Sequence, residues 1–375
     1  MSVNMQPSQT SDQSFVDIAS FAKELVISPR IPEICPGFDV PFYQAGLAGY
    51  SDGAMRLIAR KHGCPFCVTE ALLDRTLING GKGRRKEDPD LLAEEAASGE
   101  IDGNTAAGLD DHPIAGQVIG TNPDEMAKGA FILSEMGYDM IDVNLACPVK
   151  KIRRRNRGGH FLCAPQSACD ILSAVREAVP RELPVTLKMR RGWDDSDLSE
   201  QNFYTVFDHA YEAGFSWATV HARTVEQRYK GPSRWEFLQQ LVSSRPDRLI
   251  FGSGDIWCVA DIFRMMEQTG VCGVSVARGC IGNPWIFKQA RSLMAGDEPS
   301  HPTLEEQRNA LLEHIDLCIR LHGEKPASRM MRKFGIRFAV HHPSPEEVKN
   351  QFIQVETMQG WKSVVDEYYP SNSNC

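Results

Sequence analysis

The sequence of 375 residues lacks any apolar run of the roughly 18 residues that a membrane-spanning helix needs. Its polar N-terminus also lacks the charged-then-apolar pattern of a secretory signal peptide. The 11 cysteines stand at irregular intervals, and no second Cys or His pair joins Cys64 and Cys67 to complete a zinc site. We therefore predict a cytoplasmic protein with reduced thiols, no membrane anchor and no metal ion.

The composition is that of an ordinary globular chain, with 42% hydrophobic and 24% charged residues. The net charge of −8 excludes a general attraction for nucleic acid. Residues 150–157 are a local exception, because six of these eight positions carry Lys or Arg. Such a cluster can bind phosphates, although a basic run taken alone is more often a solvated loop.

Short apolar runs alternate with helix-like segments along most of the chain, which is typical of a (β/α)₈ barrel. A doubly wound open sheet is the alternative with the same alternation. The predicted strands are Pro41–Ala45, Phe66–Glu70, Pro113–Ile119, Met140–Asn144, Pro184–Met189, Trp217–His221, Leu249–Gly252 and Gly273–Ala277.

The two ends of the chain differ from this pattern. Residues 1–30 are predicted to form an N-terminal extension, partly disordered, with a helix over Ser14–Leu25. The barrel is expected over residues 31–300, with a long second connection over Gly80–His112 that contains a helix near Leu91–Ala97. After this the strand signals vanish, which predicts a helical domain over residues 301–375. Its predicted helices are Leu304–Leu321, Pro326–Val340 and Pro345–Met358.

Glycine follows the last two predicted strands, where barrels usually hold phosphate groups. One segment is Gly252-Ser253-Gly254-Asp255, and the other is Val276-Ala277-Arg278-Gly279. Glycine lets backbone N–H groups approach a phosphate, and Arg278 adds a positive charge. No complete Gly-x-Gly-x-x-Gly follows a strand, so a Rossmann site is not supported.

Polar side chains at other strand ends are suited to a planar heterocycle. Lys188 lies in an apolar strand, where an unpartnered ammonium is costly to bury. His221 is equally consistent with a core histidine, and Gln117 taken alone is more often structural. Cys147 follows the fourth strand three residues after Asn144, and a thiol there can donate a proton or act as a nucleophile.

Several segments, in the expected order, resemble the tRNA-dihydrouridine synthase family of flavin-dependent (β/α)₈ barrels with a C-terminal helical domain. They are IDVNLACPVKK at 141–151, HARTVEQRYKGPSRW at 221–235, VTLKMRRGW at 185–193, GNPWIF at 282–287 and the basic triplet Met331-Arg332-Lys333. The family's usual Ala-Pro-Met-Ala-Gly, Asn-Gly-Asp and Gly-Arg are here Ala45–Gly49, Ser253–Asp255 and Ala277-Arg278, which indicates a divergent, bacterial-type branch.

The resemblance implies FMN-dependent reduction of the C5=C6 bond of uridines in tRNA, with NADPH as electron donor. Cys147 would then protonate C5 while reduced FMN delivers hydride to C6, and Asn144 would hold the uracil edge. A monomer is favoured. The implied FMN-binding residues are Gly46, Leu47, Ala48, Gln117, Lys188, His221, Ser253, Gly254, Asp255, Ala277, Arg278 and Gly279. The implied RNA-binding residues are Lys150, Arg153, Arg154 and Arg332, with Arg329, Lys333 and Arg337 on neighbouring turns.

Two other function classes are consistent with part of this pattern. A flavin-dependent small-molecule oxidoreductase, similar to dihydroorotate dehydrogenase, would share the barrel and the FMN site but would need neither the basic loop nor the helical tail. An RNA-binding protein whose catalysis has lapsed would not need Cys147, Asn144 and Lys188.

Overall fold

A computed structural model describes residues 12–79, 109–149, 152 and 154–370. The helix predicted near Leu91–Ala97, most of the long second connection, Lys150 and Arg153 lie outside these described residues. Within them, no helix combines the length and the apolar character that crossing a membrane requires.

The strands form one closed parallel barrel. The strands are β1 (Phe42–Gln44), β2 (Cys67–Val68), β3 (Leu72–Leu73), β4 (Ile114–Ile119), β5 (Met140–Leu145), β6 (Val185–Arg190), β7 (Trp217–His221), β8 (Ile250–Ser253) and β9 (Gly273–Val276). Their order is β2-β1-β9-β8-β7-β6-β5-β4-β3, and β2 also pairs with β4. This last pairing closes the sheet, which confirms the predicted (β/α)₈ barrel and shows that the open-sheet alternative is wrong.

Each of the eight predicted apolar runs overlaps a strand that extends at most one residue beyond it, because strands that are buried on both faces are almost continuously hydrophobic. The structure adds β3, a two-residue strand that pairs with Val118 and Ile119 of β4. This strand was not predicted, because Leu72 and Leu73 stand outside the run Phe66–Glu70 that predicted β2 and are too few to form a run of their own.

Helices cover the outside of the barrel and form the C-terminal region. In the described residues they are α1 (Asp12–Glu24), α2 (Arg30–Ile34), α3 (Gly53–Lys61), α4 (Asp74–Ile78), α5 (Pro123–Glu135), α6 (Pro165–Ala178), α7 (Asp197–Glu212), α8 (Trp235–Ser244), α9 (Val259–Thr269), α10 (Trp285–Ala295), α11 (Leu304–His322), α12 (Glu324–Phe338), α13 (Pro345–Gln354) and α14 (Met358–Tyr368). Helix starts follow local capping chemistry: the Asn122 side chain accepts hydrogen bonds from two backbone N–H groups of α5.

Aromatic side chains fill the N-terminal half of the barrel interior. Phe38, just before β1, stacks on Phe66 at a centroid distance of 5.1 Å and on Phe251 at 5.8 Å. Trp217 packs against Phe251 at 5.1 Å. Because this end is filled, polar groups inside the barrel are left to the end where the strands finish.

The C-terminal region is helical and packs against the barrel. Helix α11 contacts both α12 and the barrel helix α3, while α1 packs on α9 and α10. The helix predicted over Pro345–Met358 is α13, which ends at Gln354, and α14 follows after a break and was not predicted. The break arises because Thr357 caps α14 by accepting a hydrogen bond from the Gly360 N–H.

Candidate active site

The register of β4, β5 and β6 places polar side chains side by side inside the barrel. Gln117 lies opposite Asp142, Asp142 opposite Thr186, and Asn144 opposite Lys188. Alternate residues of a strand share one face, so Asp142 and Asn144 both point inward. The structure therefore brings together three residues that the resemblance assigns to the site: Gln117, Asn144 and Lys188.

These side chains form a continuous hydrogen-bonded network. Gln117 Nε2 donates to Asp142 Oδ2 at 2.7 Å, and Thr186 Oγ1 donates to Asp142 Oδ1 at 2.6 Å. Asn144 Nδ2 donates to Gln117 Oε1 at 2.6 Å. Asn144 Oδ1 then accepts from the backbone N–H groups of Ala146 and Cys147, at 3.0 and 3.2 Å. The amide at the candidate uracil position is thus connected to the backbone of the candidate acid.

The environment of Lys188 lowers the pKa of its side chain. Burial, followed by the repulsion of Arg190, lowers the pKa of its ammonium to about 7, while Asp142 acts in the opposite direction. Burial in turn raises the pKa of the Asp142 carboxyl. The ammonium Nζ lies 3.4 Å from Ser275 Oγ. Lys188 can therefore change charge near neutral pH, which is typical of a functional rather than a structural lysine.

Cys147 lies at the rim, partly exposed, in a loop that other elements hold in place. Arg190 Nε donates to the Ala146 carbonyl at 2.9 Å, and the Gly159 N–H donates to the Cys147 carbonyl at 3.1 Å. Burial raises the pKa of the Cys147 thiol. A thiol that stays protonated is suited to donate a proton and poorly suited to act as a thiolate nucleophile.

The chain returns over Cys147 through Gly158, whose φ is +57°. A Cβ added at Gly158 would lie 2.8 Å from the Cys147 Cβ. No side chain therefore fits between this loop and the thiol-bearing residue.

His221 lies at the rim among four cations. Burial, together with the charges of Arg190, Lys188, Arg223 and Arg278, lowers its pKa well below the usual value. A guanidinium nitrogen of Arg223 lies 3.3 Å from His221 Nε2. Because a guanidinium only donates, Nε2 accepts this bond and the proton of the neutral ring resides on Nδ1. His221 is thus prepared to donate a hydrogen bond from Nδ1.

The loops after β8 and β9 form the cationic end of the site. Asp255, in the left-handed region at φ +58°, accepts two hydrogen bonds from Arg223 at 2.6 and 2.7 Å. Arg278 lies 3.6 Å from the same carboxylate and stacks over Trp257 at 4.4 Å. One carboxylate does not neutralise two arginines, so this end favours an anion.

The glycines of these loops allow close approaches. A Cβ at Gly254, where φ is +112°, would lie 2.4 Å from Ser233 Oγ and 2.8 Å from the His221 ring. A Cβ at Gly279 would lie 2.3 Å from the Ile256 carbonyl oxygen. Ser253 is buried, and Ala277 lies between β9 and Arg278 at the same rim.

The end of β1 forms the opposite wall. A Cβ at Gly46 would lie 2.3 Å from the Thr69 carbonyl oxygen and 3.4 Å from Gln117 Oε1. The Leu47 N–H donates to Ser51 Oγ at 2.7 Å, which holds the following turn, and Ala48 is exposed. Backbone rather than side chain therefore faces Gln117 at this wall.

A basic helix face borders this wall. Lys333 Nζ, on α12, donates to the Gly49 carbonyl at 3.1 Å and lies over the Tyr50 ring at 5.3 Å. Arg329 is exposed on the same helix, which also carries Arg332 and Arg337. In the basic loop Arg154 is exposed, whereas Arg157 is buried, with 8% of its surface exposed, and cannot serve as an open phosphate contact.

Three residues of this arrangement were not predicted as site residues: Asp142, Arg190 and Arg223. Asp142 and Arg190 stand two positions from Asn144 and Lys188, so strand alternation was a signal that could have found them. Arg223 pairs with Asp255 across two loops. No spacing in the sequence indicates that contact.

The family model and the sequence relatives agree on one family. A model of the dihydrouridine synthase family matches residues 43–374. A probable tRNA-dihydrouridine synthase of Treponema pallidum is 30% identical over 302 residues, covering 79% of this chain and 83% of the relative. The tRNA-dihydrouridine synthase B of Pasteurella multocida is 29% identical over 292 residues, covering 78% and 81%.

A solved structure shares the fold at much lower identity. Histamine dehydrogenase from Rhizobium sp. 4-9 superposes with a TM-score of 0.51 at 13% identity, covering 80% of this chain and 51% of that one. This likeness shows the fold alone. The family match over most of the chain is the decisive finding. The chain therefore belongs to the dihydrouridine synthase family of oxidoreductases.

Proposed function

We propose that this protein reduces the C5=C6 bond of specific uridines in tRNA to dihydrouridine, with FMN as cofactor and NADPH as electron donor. The observation that carries the proposal is the Cys147 thiol, which burial keeps protonated at the rim of the barrel, beside the Gln117–Asn144 network. Family membership supports the reaction class, and the site chemistry supports the residue roles below.

The residues of the barrel mouth fit a flavin mononucleotide. Close backbone approaches at Gly46 and Gly254 leave no room for a Cβ, so these walls are shaped by main chain. Gln117, Lys188 and the Nδ1–H of His221 offer hydrogen bonds, while Arg278 and Gly279 suit a phosphate. Leu47 and Ala48 would border the ring system, with Ser253, Asp255 and Ala277 beside the phosphate end. When bound and reduced by NADPH, FMN supplies a hydride.

The chain's own residues complete the chemistry on uracil. Addition of hydride at C6 builds enolate charge at the C4 carbonyl, which needs hydrogen-bond donors and a proton at C5. Cys147 gives its S–H proton to C5 and is afterwards reprotonated from solvent. Asn144 Nδ2, which gives one hydrogen to Gln117 Oε1, would donate its other hydrogen to the carbonyl oxygen.

RNA would meet the barrel mouth along α12. A uridine in folded tRNA has to leave its stack to enter a barrel mouth. Lys333 already contacts the Gly49–Tyr50 turn, so phosphates bound by Arg329, Arg332 and Arg337 would lie beside the β1 wall. Arg154 is exposed near the Cys147 side, and Lys150 and Arg153 belong to the same run. A small-molecule substrate would need none of these cations.

The test compares two cysteine variants that carry bound flavin. Cys147→Ala removes the proposed acid and is expected to retain flavin and NADPH oxidation while losing uridine reduction by about 100-fold or more. Cys163→Ala serves as the matched control, because Cys163 is exposed at the end of the short helix Gly158–Cys163 that follows the basic loop. This variant should reduce uridine as the wild type does. Mass spectrometry of the digested tRNA measures the product. A Cys147→Ala protein with normal turnover would remove the thiol from the mechanism.

A further inference from the structure

Asp142 is a buried carboxylate that the proposed reaction does not use. Only 5% of its surface is exposed, and both oxygens are committed, one to Gln117 Nε2 at 2.7 Å and the other to Thr186 Oγ1 at 2.6 Å. Burying a polar side chain is costly unless it makes hydrogen bonds, so the hydrogen bonds of Asp142 indicate its role. The two amides beyond it indicate what that task is.

The network has only one consistent donor and acceptor arrangement, because its two ends are fixed. At one end Asp142 Oδ2 accepts from Gln117, so the Gln117 Nε2 faces Asp142 and its Oε1 faces Asn144. At the other end the Ala146 and Cys147 N–H groups only donate, so Asn144 must turn its Oδ1 toward them. The Asn144 Nδ2 then faces Gln117, as observed.

We propose that Asp142 is a positioning residue for the proposed uridine reduction: by holding the Gln117 amide nitrogen, it orients the amides of Gln117 and Asn144 and keeps the Cys147 backbone at the site. The inference rests on the proposed function. It also predicts which Asn144 group faces the substrate. The Asn144 Oδ1 already accepts two backbone hydrogen bonds, whereas one N–H of Nδ2 remains available to the substrate. Asn144 would therefore donate to a uracil carbonyl and would not accept from a ring N–H.

Two substitutions of Asp142 separate the effect of the amide orientations from the effect of the carboxylate charge. Asp142→Asn can still present an oxygen to Gln117 Nε2, while its Nδ2 donates to the Thr186 hydroxyl, so the amide orientations survive. Asp142→Leu removes the acceptor and frees the Gln117 amide to rotate. We expect Asp142→Leu to lower kcat for uridine reduction by about 100-fold with tRNA affinity unchanged, since small misplacements of reacting groups have costs of that order. Asp142→Asn should remain within about tenfold of the wild type.

Thr186→Val is the matched control. It removes the other hydrogen bond to Asp142 without touching Gln117, and it should stay within about threefold of the wild type. The visible absorption spectrum of the bound flavin is a second readout, which we expect to shift in Asp142→Leu only. An Asp142→Leu enzyme with unchanged kcat and spectrum contradicts the proposal. Equal losses in Asp142→Asn and Asp142→Leu also contradict it, because the charge rather than the orientation would then matter.

If the Asp142→Leu protein does not fold, a pair of compensating substitutions at positions 117 and 142 tests the same proposal. Gln117→Glu places two carboxylates face to face and cannot donate to Asp142. Adding Asp142→Asn lets Asn Nδ2 donate to the new carboxylate, whose second oxygen accepts from Asn144, so every bond is restored. The double variant should recover at least about tenfold in kcat over Gln117→Glu, and no recovery would overturn the proposal. A wild-type protein that binds flavin but reduces no uridine contradicts the proposed function instead, and the flavin spectra still test Asp142.

Discussion

Burial shifts the pKa values of three side chains at the barrel mouth: Cys147, Lys188 and His221. It raises the pKa of the Cys147 thiol and, together with neighbouring cations, lowers the pKa values of Lys188 and His221. A protonated thiol and a neutral imidazole follow at neutral pH, with Lys188 close to its midpoint of about 7. The same desolvation thus prepares an acid, a hydrogen-bond donor and a titratable amine.

The lowered pKa of Lys188 predicts how the free energy of unfolding changes with pH. In the unfolded chain this amine titrates near 10.5, and in the folded protein near 7. Between these values the unfolded state binds the extra proton, so wild-type stability rises with pH through this window. Relative to Lys188→Met, the wild type should gain of the order of a few kcal/mol in unfolding free energy from about pH 7 to about pH 10. Urea unfolding at both pH values measures it; a flat difference would show that Lys188 titrates normally.

Gly254 provides a steric test of the phosphate end. Gly254→Ala places a Cβ 2.4 Å from Ser233 Oγ and 2.8 Å from the His221 ring, so both must shift. We expect flavin affinity to fall at least about tenfold, measured by fluorescence titration of the flavin-free protein. Gly137→Ala is the control: its φ is +83°, but nothing lies within 4 Å of the new Cβ. It carries similar backbone strain, of about 1–2 kcal/mol, and should bind flavin normally. Equal affinity in both variants would place the phosphate elsewhere.

Site residues could be predicted only where the sequence pattern around them indicated their chemistry. Lys188 was predicted because a lysine in an apolar strand is unusual, and Cys147 because it ends a buried strand. The partners that set their properties were not predicted. The contact between Gln117 and Asp142 depends on the register of two strands 25 residues apart, and the Arg223–Asp255 pair depends on loops 32 residues apart. Neither separation has a local signature.

Secondary structure elements were predicted well where they were long and periodic. The helix predicted over Leu304–Leu321 is α11, which begins at the same residue and ends one residue later, because Thr303 caps its start and an apolar face runs along it. The failures were short or interrupted elements. Strand β3 lies outside every predicted run, and the helix predicted to end at Met358 stops at Gln354 because the break before α14 depends on the Thr357 cap rather than on Gly or Pro.

The exposed arginines of helix α12 are expected to bind tRNA phosphates. Replacing Arg329 and Arg332 with Ala should weaken tRNA binding and reduce the slope of log affinity against log salt by about 1 for each phosphate that these cations neutralise. Replacing Lys349 and Lys362, on α13 and α14, removes the same charge and should leave the slope unchanged. Filter binding across a salt series measures both. Identical slopes in the two double variants would show that α12 is an ordinary solvated face.

The whole molecule places an oxidoreductase barrel and a basic helix side by side. Helix α11 packs on α3, and His322 at its end lies 2.7 Å from Asp52, which caps α3 just after the β1 wall. Lys333 makes a second connection at Gly49. These contacts fix the basic face relative to the barrel mouth, which is the geometry that a macromolecular substrate requires and a small molecule does not.

The proposed substrate is a uridine in tRNA. The most direct measurement incubates the purified, FMN-loaded protein with NADPH and an unmodified tRNA transcript, and counts reduced uridines by mass spectrometry with position assigned by fragmentation. We expect dihydrouridine at one or a few positions, and none with Cys147→Ala. NADPH oxidation supported by a small conjugated carbonyl compound, with every uridine unchanged, would contradict it and identify a small-molecule oxidoreductase.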